Sequence, residues 1–220
     1  MVSIHQLKHS PFCIPIVAIF RALDIPLREI EVPNGNRSAI IKLTKGAYYQ
    51  VPVLVDGSQV IYESAPDSQD VARYIDAKFA GGRLFPKTVE GFQSIVISYL
   101  ENDVENVTFR LTDPKYIASI SDVVERTAII RHKERKFGVG CVARWKKEAP
   151  QLRRQAADVL APFDKIFQNS PFLFGGEPVY ADFLLFGILG NLTYRDFNPL
   201  PPKLKALRAW EKSMRTWRFS

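Results

Sequence analysis

The sequence predicts two unlike parts, a small α/β domain in the first third of the chain and an all-helical domain after it. Three observations predict this. Short alternating segments suited to strands are confined to residues 1–62, helical apolar periodicity alone follows residue 89, and residues 80–88 carry two glycines and a proline between periodic segments. The expected division is residues 1–79, a linker at 80–88, and residues 89–220.

Taken in order, "VSIHQLK" (2–8) is short and partly alternating, which suits a strand, and "HSPF" ends it with a serine before a proline, the punctuation of a helix start. Ile16, Val17, Ile19, Phe20 and Leu23 continue as one apolar helix face. "IPLREIEV" (25–32) alternates again, "PNGN" turns, and "RSAIIKLT" is a short helix. "VPVLVDGSQVIY" (51–62) reads as a hairpin turning at Asp56-Gly57-Ser58, because Asp and Gly tolerate the positive φ that such turns need. "DSQDVARYIDAKF" (67–79) places Val71, Tyr74, Ile75 and Phe79 at helical spacing, so the first domain reads β-α-β-α-β-β-α.

In the second domain Phe92, Ile95, Val96, Tyr99, Leu100 and Val104 define one apolar helix face. Leu152, Ala156, Val159, Leu160, Phe163, Ile166 and Phe167 repeat it, with a kink expected at Pro162. "YADFLLFGILGNL" (180–192) is apolar nearly all round and reads as a buried helix; the last helix is amphipathic around Leu204, Leu207, Trp210 and Met214.

Composition narrows the function classes. The 220 residues carry 30 Lys and Arg against 23 Asp and Glu, a net +7 that attracts anions of many kinds and identifies none. Cys13 and Cys141 have no paired spacing, so neither a disulfide framework nor a zinc site is expected, and a reducing compartment fits best. His5, His9 and His132 show no metal-ligand spacing. The apolar run at 12–20 contains Pro15 and is followed by Arg21 and Asp24 without a cleavage signal, and no segment has the length of a membrane helix, so a cytoplasmic protein is expected. The basic run "RHKERKFG" (131–138) reads as a solvated helix end with Gly138 as its C-cap, in preference to a nucleic-acid site.

Four motifs in this order resemble the cytosolic glutathione S-transferase family across essentially the whole chain: "SPFC" (10–13), "QVPVL" (50–54), "DSQDVARYID" (67–76) and "YADFLLFG" (180–187). The resemblance implies a thioredoxin-like N-terminal domain, a helical C-terminal domain, a homodimer, and glutathione as co-substrate in the detoxification of small, largely apolar electrophiles, with no metal. Ser10 would donate its hydroxyl to the glutathione thiolate, although a simple helix cap is the competing role for a serine there. Cys13 stands where related redox proteins keep a resolving thiol; one turn inside an apolar helix, it reads as a core residue, with mixed-disulfide chemistry as the alternative. The resemblance further implies that Phe12 contributes to the glutathione site and that Val51, before a cis Pro52, pairs through its backbone with the cysteinyl unit. Arg37 and Gln50 would face the glycyl carboxylate, and Asp67 with Ser68 the γ-glutamyl end, a pair whose spacing to Val71 and Tyr74 suits better than Glu63-Ser64. Tyr99, Asn102 and Arg110 fall on the helix that lines the second-substrate site in the family. One position departs from the pattern: Val179 replaces the usual Ser or Thr before Asp182, leaving half a capping box, a loss of about 1 kcal/mol unless another group serves. Three functions fit: conjugation through Ser10, thiol–disulfide exchange or reductive cleavage through Cys13, and a non-catalytic binding protein that keeps the fold.

Overall fold

The computed structural model describes residues 1–65 and 68–219. β1 (Val2–Gln6) lies inside a four-stranded sheet of order β2-β1-β3-β4. β2 (Leu27–Glu31) runs parallel to it, and β3 (Val53–Asp56) and β4 (Gln59–Ile61) add antiparallel on the other side. The one parallel pair needs a crossover, and α1 (Cys13–Ala22) supplies it. The β3–β4 turn is closed by Gly57 at φ 60, a conformation that a side chain would strain. α2 (Ser38–Leu43) and α3 (Asp70–Ile75), which continues into a π-helical turn at Asp76–Ala80, complete a thioredoxin-like layer in the element order expected.

Beyond β4 the described residues form no further strand, only an isolated bridge between Phe172 and Gly175. The segment between the two layers is anchored. Leu84 is buried; its N–H donates to Asp76 Oδ1, and its carbonyl accepts the N–H of Tyr180 and the side-chain amide of Gln93. α4 (Glu90–Tyr99), a π turn (Leu100–Val104) and α5 (Glu105–Ala118) follow one another without a break; α6 (Val123–Phe137), α7 (Cys141–Phe167), α8 (Tyr180–Leu192) and α9 (Lys205–Met214) complete the helical layer. None of these helices is long and apolar enough to cross a membrane.

One expectation about helices is corrected, the buried face of α4. α7 runs as one helix through both Pro150 and Pro162. Each proline removes a hydrogen bond to the carbonyl four residues earlier, and those carbonyls belong to exposed Lys146 and Asp158, where water can serve them. On α4, Phe92 and Ile95 are 70% and 68% exposed, whereas Gln93 is fully buried. The buried amide has two partners that repay its burial: it donates to Leu84 O and accepts the N–H of Ala181.

That second bond answers the question posed by Val179. The first-turn N–H groups of α8 go to Leu84 O and Gln93 Oε1, and Asp182 accepts from the N–H groups of Val179 (3.1 Å) and Leu173 (3.0 Å). Valine has no acceptor, so the missing half of the box is replaced by groups from outside the helix. α8 then passes so close to the start of α1 that a Cβ on Gly187 would stand 2.3 Å from Pro11 O and 2.5 Å from the Pro15 ring. One turn further on, Asn191 Nδ2 donates to His9 O at 2.6 Å.

Gly187→Ala is therefore expected to destabilise the protein by about 2 kcal/mol or more, because overpacking against backbone has no cheap relief. Gly91→Ala, in helix α4 with open space around it, should instead stabilise by about 0.5–1 kcal/mol. Urea denaturation of the two variants checks the opposite signs.

Candidate active site

A cavity of about 560 Å³ lies between the two layers, bounded by the turn at 9–12, the loops at 34–37 and 49–51, and helices α5 and α6. Ser10, Phe12, Arg37, Gln50 and Val51 line it, and the Val51–Pro52 bond is cis. Tyr99, Asn102 and Arg110 do not: the Tyr99 hydroxyl donates to Val159 O, Asn102 bonds to Ser98 on its own helix, and Arg110 donates to Asn106.

Ser10 closes β1 and opens α1. Its N–H donates to Leu7 O, its carbonyl accepts the N–H groups of Cys13 and Ile14, and its Oγ accepts those of Phe12 and Cys13, each at 3.3 Å. This is an N-terminal cap, and it leaves the hydroxyl proton available for donation. Cys13 is fully buried, and burial pushes its thiol up to about 11, outweighing the Ser10 hydroxyl, a Leu7 backbone contact and the Arg37 charge, all of which favour the thiolate.

Several groups at the cavity escaped the sequence reading. The His9 ring stacks on Tyr116 at 3.8 Å; burial, with help from the charges of Lys133 and Arg37, lowers its pKa to about 4, so the ring is neutral at physiological pH. Asn34 joins the first domain to α5, donating to Tyr116 Oη and accepting from Arg37 Nη2, while Arg37 Nη1 is buried without a partner. On α5, Glu105 is pushed up to about 7 by burial, and Asp113 is raised by burial against an ion pair with Lys133 at 2.5 Å. Two signals were available: His9 precedes Ser10, and Asn191 is a polar residue inside the otherwise apolar α8.

At the start of α3 the two acidic-Ser pairs are joined by one bond. Glu63 accepts from the Ser68 hydroxyl at 2.7 Å and from the N–H of Asp70 at 2.6 Å, and Ser64 N–H donates to Asp70. Burial raises the pKa of Glu63, partly offset by these bonds. Asp67 lies outside the described residues. Ser68 and Glu63 do not line the cavity as bounded above.

A thioredoxin-like sheet followed by a helical layer, with a buried capped serine on the wall of the cavity between them, defines a two-layer class of fold. The profile "Glutathione S-transferase, N-terminal domain" matches residues 4–83 and "Glutathione S-transferase, C-terminal domain" matches residues 116–216, together well over half the chain, so the protein belongs to the glutathione S-transferase family. Among solved structures it is similar to a glutathione transferase from Phanerochaete chrysosporium (14% identity, 100% of this chain and 98% of that one, TM-score 0.79). It is also similar to a glutathione S-transferase of Ceriporiopsis subvermispora in complex with glutathione (15%, 97% and 92%, 0.76) and to glutaredoxin 2 of Salmonella typhimurium in complex with glutathione (24%, 98% and 95%, 0.69). At these identities the likeness concerns the fold. No curated protein matches the chain by sequence.

With its pKa at about 11, the Cys13 thiolate would be about one part in a thousand at pH 8, before access is considered. Iodoacetamide labelling of the native protein at that pH should leave Cys13 unmodified over hours and label it once urea unfolds the chain, as read by mass spectrometry.

Proposed function

We propose that the protein is a cytoplasmic glutathione transferase that joins the glutathione thiolate to a small, largely apolar electrophile, with Ser10 as the hydroxyl donor to sulfur. The observation that carries this is the bonding of Ser10: two N–H groups fix its oxygen on the wall of a cavity and leave its proton to donate. Lowering a thiol by two pKa units takes about 2.7 kcal/mol of preferential thiolate stabilisation, and a hydroxyl donor at a helix N-terminus is a suitable source. The backbone of Val51 would pair with the cysteinyl unit, Phe12 would flank it, and Arg37 and Gln50 would meet the glycyl carboxylate. Ser68, with Asp67 or with Glu63, would hold the γ-glutamyl end. The electrophile's apolar body would lie against Phe109, Ile117 and Ile129.

In this reading residues 1–79 hold glutathione, 80–88 link, and 89–220 receive the second substrate. Phe92 and Ile95, exposed on α4, would be covered in a homodimer. Ser10→Ala should still bind glutathione by calorimetry while its conjugation rate falls about a hundredfold. An unchanged rate would remove Ser10 from the mechanism.

Thiol exchange through Cys13 is the second reading, favoured by the likeness to glutathione-bound glutaredoxin 2 and by the Ser10 hydroxyl and Arg37 charge beside that sulfur. It requires that Cys13→Ser abolish activity while Ser10→Ala does not. For the homodimer, Phe92→Glu combined with Ile95→Glu should halve the mass seen by sedimentation equilibrium and leave the circular dichroism spectrum intact; a wild-type monomer would refute it.

A further inference from the structure

The run "RHKERK" at the end of α6 reads as a solvated face, yet His132, Lys133, Arg135 and Lys136 stand on the wall of the cavity that holds Ser10. The acid inside the run is turned elsewhere. Glu134 pairs with Arg131 at 2.5 Å and accepts the N–H of Gly140, so both of its oxygens are engaged away from the cavity wall. Two acids from α5 do face the cavity. Asp113 is matched by Lys133, and burial pushes Glu105 up to about 7 against the charges of Lys133 and Lys136, which weakens it as a competitor for those cations. Arg135 and Lys136 have no ion pair among the described residues; Lys136 lies 5.3 Å from the ring of its neighbour Phe137. The α6 carbonyl end, which would repel an anion, is partly satisfied: Gly138 N–H donates to Glu134 O and Arg144 donates to Phe137 O.

We propose that the second substrate carries a carboxylate or similar anionic group, held by Arg135 and Lys136 at the end of α6, with its apolar body on Phe109, Ile117 and Ile129. This rests on the transferase reading above and names the substrate class of the same site. Arg37, on the loop at 34–37, is left for glutathione, so the two anions would meet different cations.

Both arginine and lysine are exposed, so Arg135→Glu/Lys136→Glu should fold. Lys146→Glu/Lys147→Glu, exposed on α7 and outside the cavity lining, makes the same change in net charge and is the control. Calorimetry with glutathione present would compare 3,5-dinitrobenzoate with 1,3-dinitrobenzene, whose nitro groups lie meta to one another and are not activated for displacement. At low salt the carboxylate should bind about tenfold or more tighter, and the α6 double variant, not the α7 one, should erase that preference while leaving dinitrobenzene and glutathione affinity within about twofold. Equal binding of the two probes, or a preference that survives the double variant, overturns the proposal. Loss of glutathione affinity in the double variant also overturns it, by giving these cations to the glycyl carboxylate. Because no turnover is needed, the result stands apart from that of chlorodinitrobenzene and chlorodinitrobenzoate with glutathione: inertness toward both sinks the transferase reading and leaves this titration decisive for the anion site.

Discussion

The site depends on the contact between α8 and the turn that carries Ser10. Gly187 lets the helix backbone approach Pro11 O and the Pro15 ring to distances that no side chain permits, and Asn191 fixes the His9 carbonyl. Gly190 allows Ile14 a similar approach, with a Cβ there at 3.1 Å from its side chain. The turn is thus held from the sheet side by Leu7 and from the helical side by α8, and Ser10 has little freedom to move between them. A catalytic or binding hydroxyl gains from such rigidity, since the oxygen need not be ordered when a ligand arrives.

The same contact sets a demand elsewhere. A helix buried nearly all round cannot leave its first N–H groups to water, so α8 imports acceptors from Leu84 O and Gln93 Oε1 and keeps Asp182 fully buried as an N-terminal acceptor. Burial holds the Asp182 carboxyl up to about 7 despite the backbone N–H groups that favour its charge. Its folded pKa lies above the unfolded one, so its contribution to stability is complete in acid and declines as pH rises toward 7. Leu84 is the common member of this network, which makes the junction between the two layers a structural element and not a loose tether.

Much of the fold was legible because its signals are local. The turn at Gly57, the alternation of Val2, Ile4 and Gln6, and the continuous apolar run of α8 each act within a few residues. What escaped was set by distant partners. Gln93 looks like a surface residue until α8 needs an acceptor, and Phe92 and Ile95 look like core although the buried face of α4 is set by Gln93 and Ile97. Tyr99, Asn102 and Arg110, placed by the resemblance on a helix that lines a second-substrate site in the family, do not line the cavity. At the site, Ser10, Arg37, Gln50 and Val51 were readable from motifs, whereas the α5 and α6 walls arise only from packing.

On the proposed reading, one set of neighbours would act in opposite ways on two sulfurs. Around Cys13, the Ser10 hydroxyl, a backbone contact and the Arg37 charge all favour a thiolate, yet complete burial outweighs them and the thiol stays protonated. A ligand sulfur on the cavity side of Ser10 would meet the same hydroxyl and part of the same positive field, in a space open enough for water to share the charge. The desolvation penalty that decides the case against Cys13 would be smaller there, and the favourable contributions would no longer be cancelled. His9 does not disturb this balance, because it is neutral and stacked. On the proposed reading, the neighbours that leave Cys13 protonated would suit a thiol brought in from outside, and the capping bonds on Ser10 would strengthen that effect by polarising its O–H toward whatever accepts the proton.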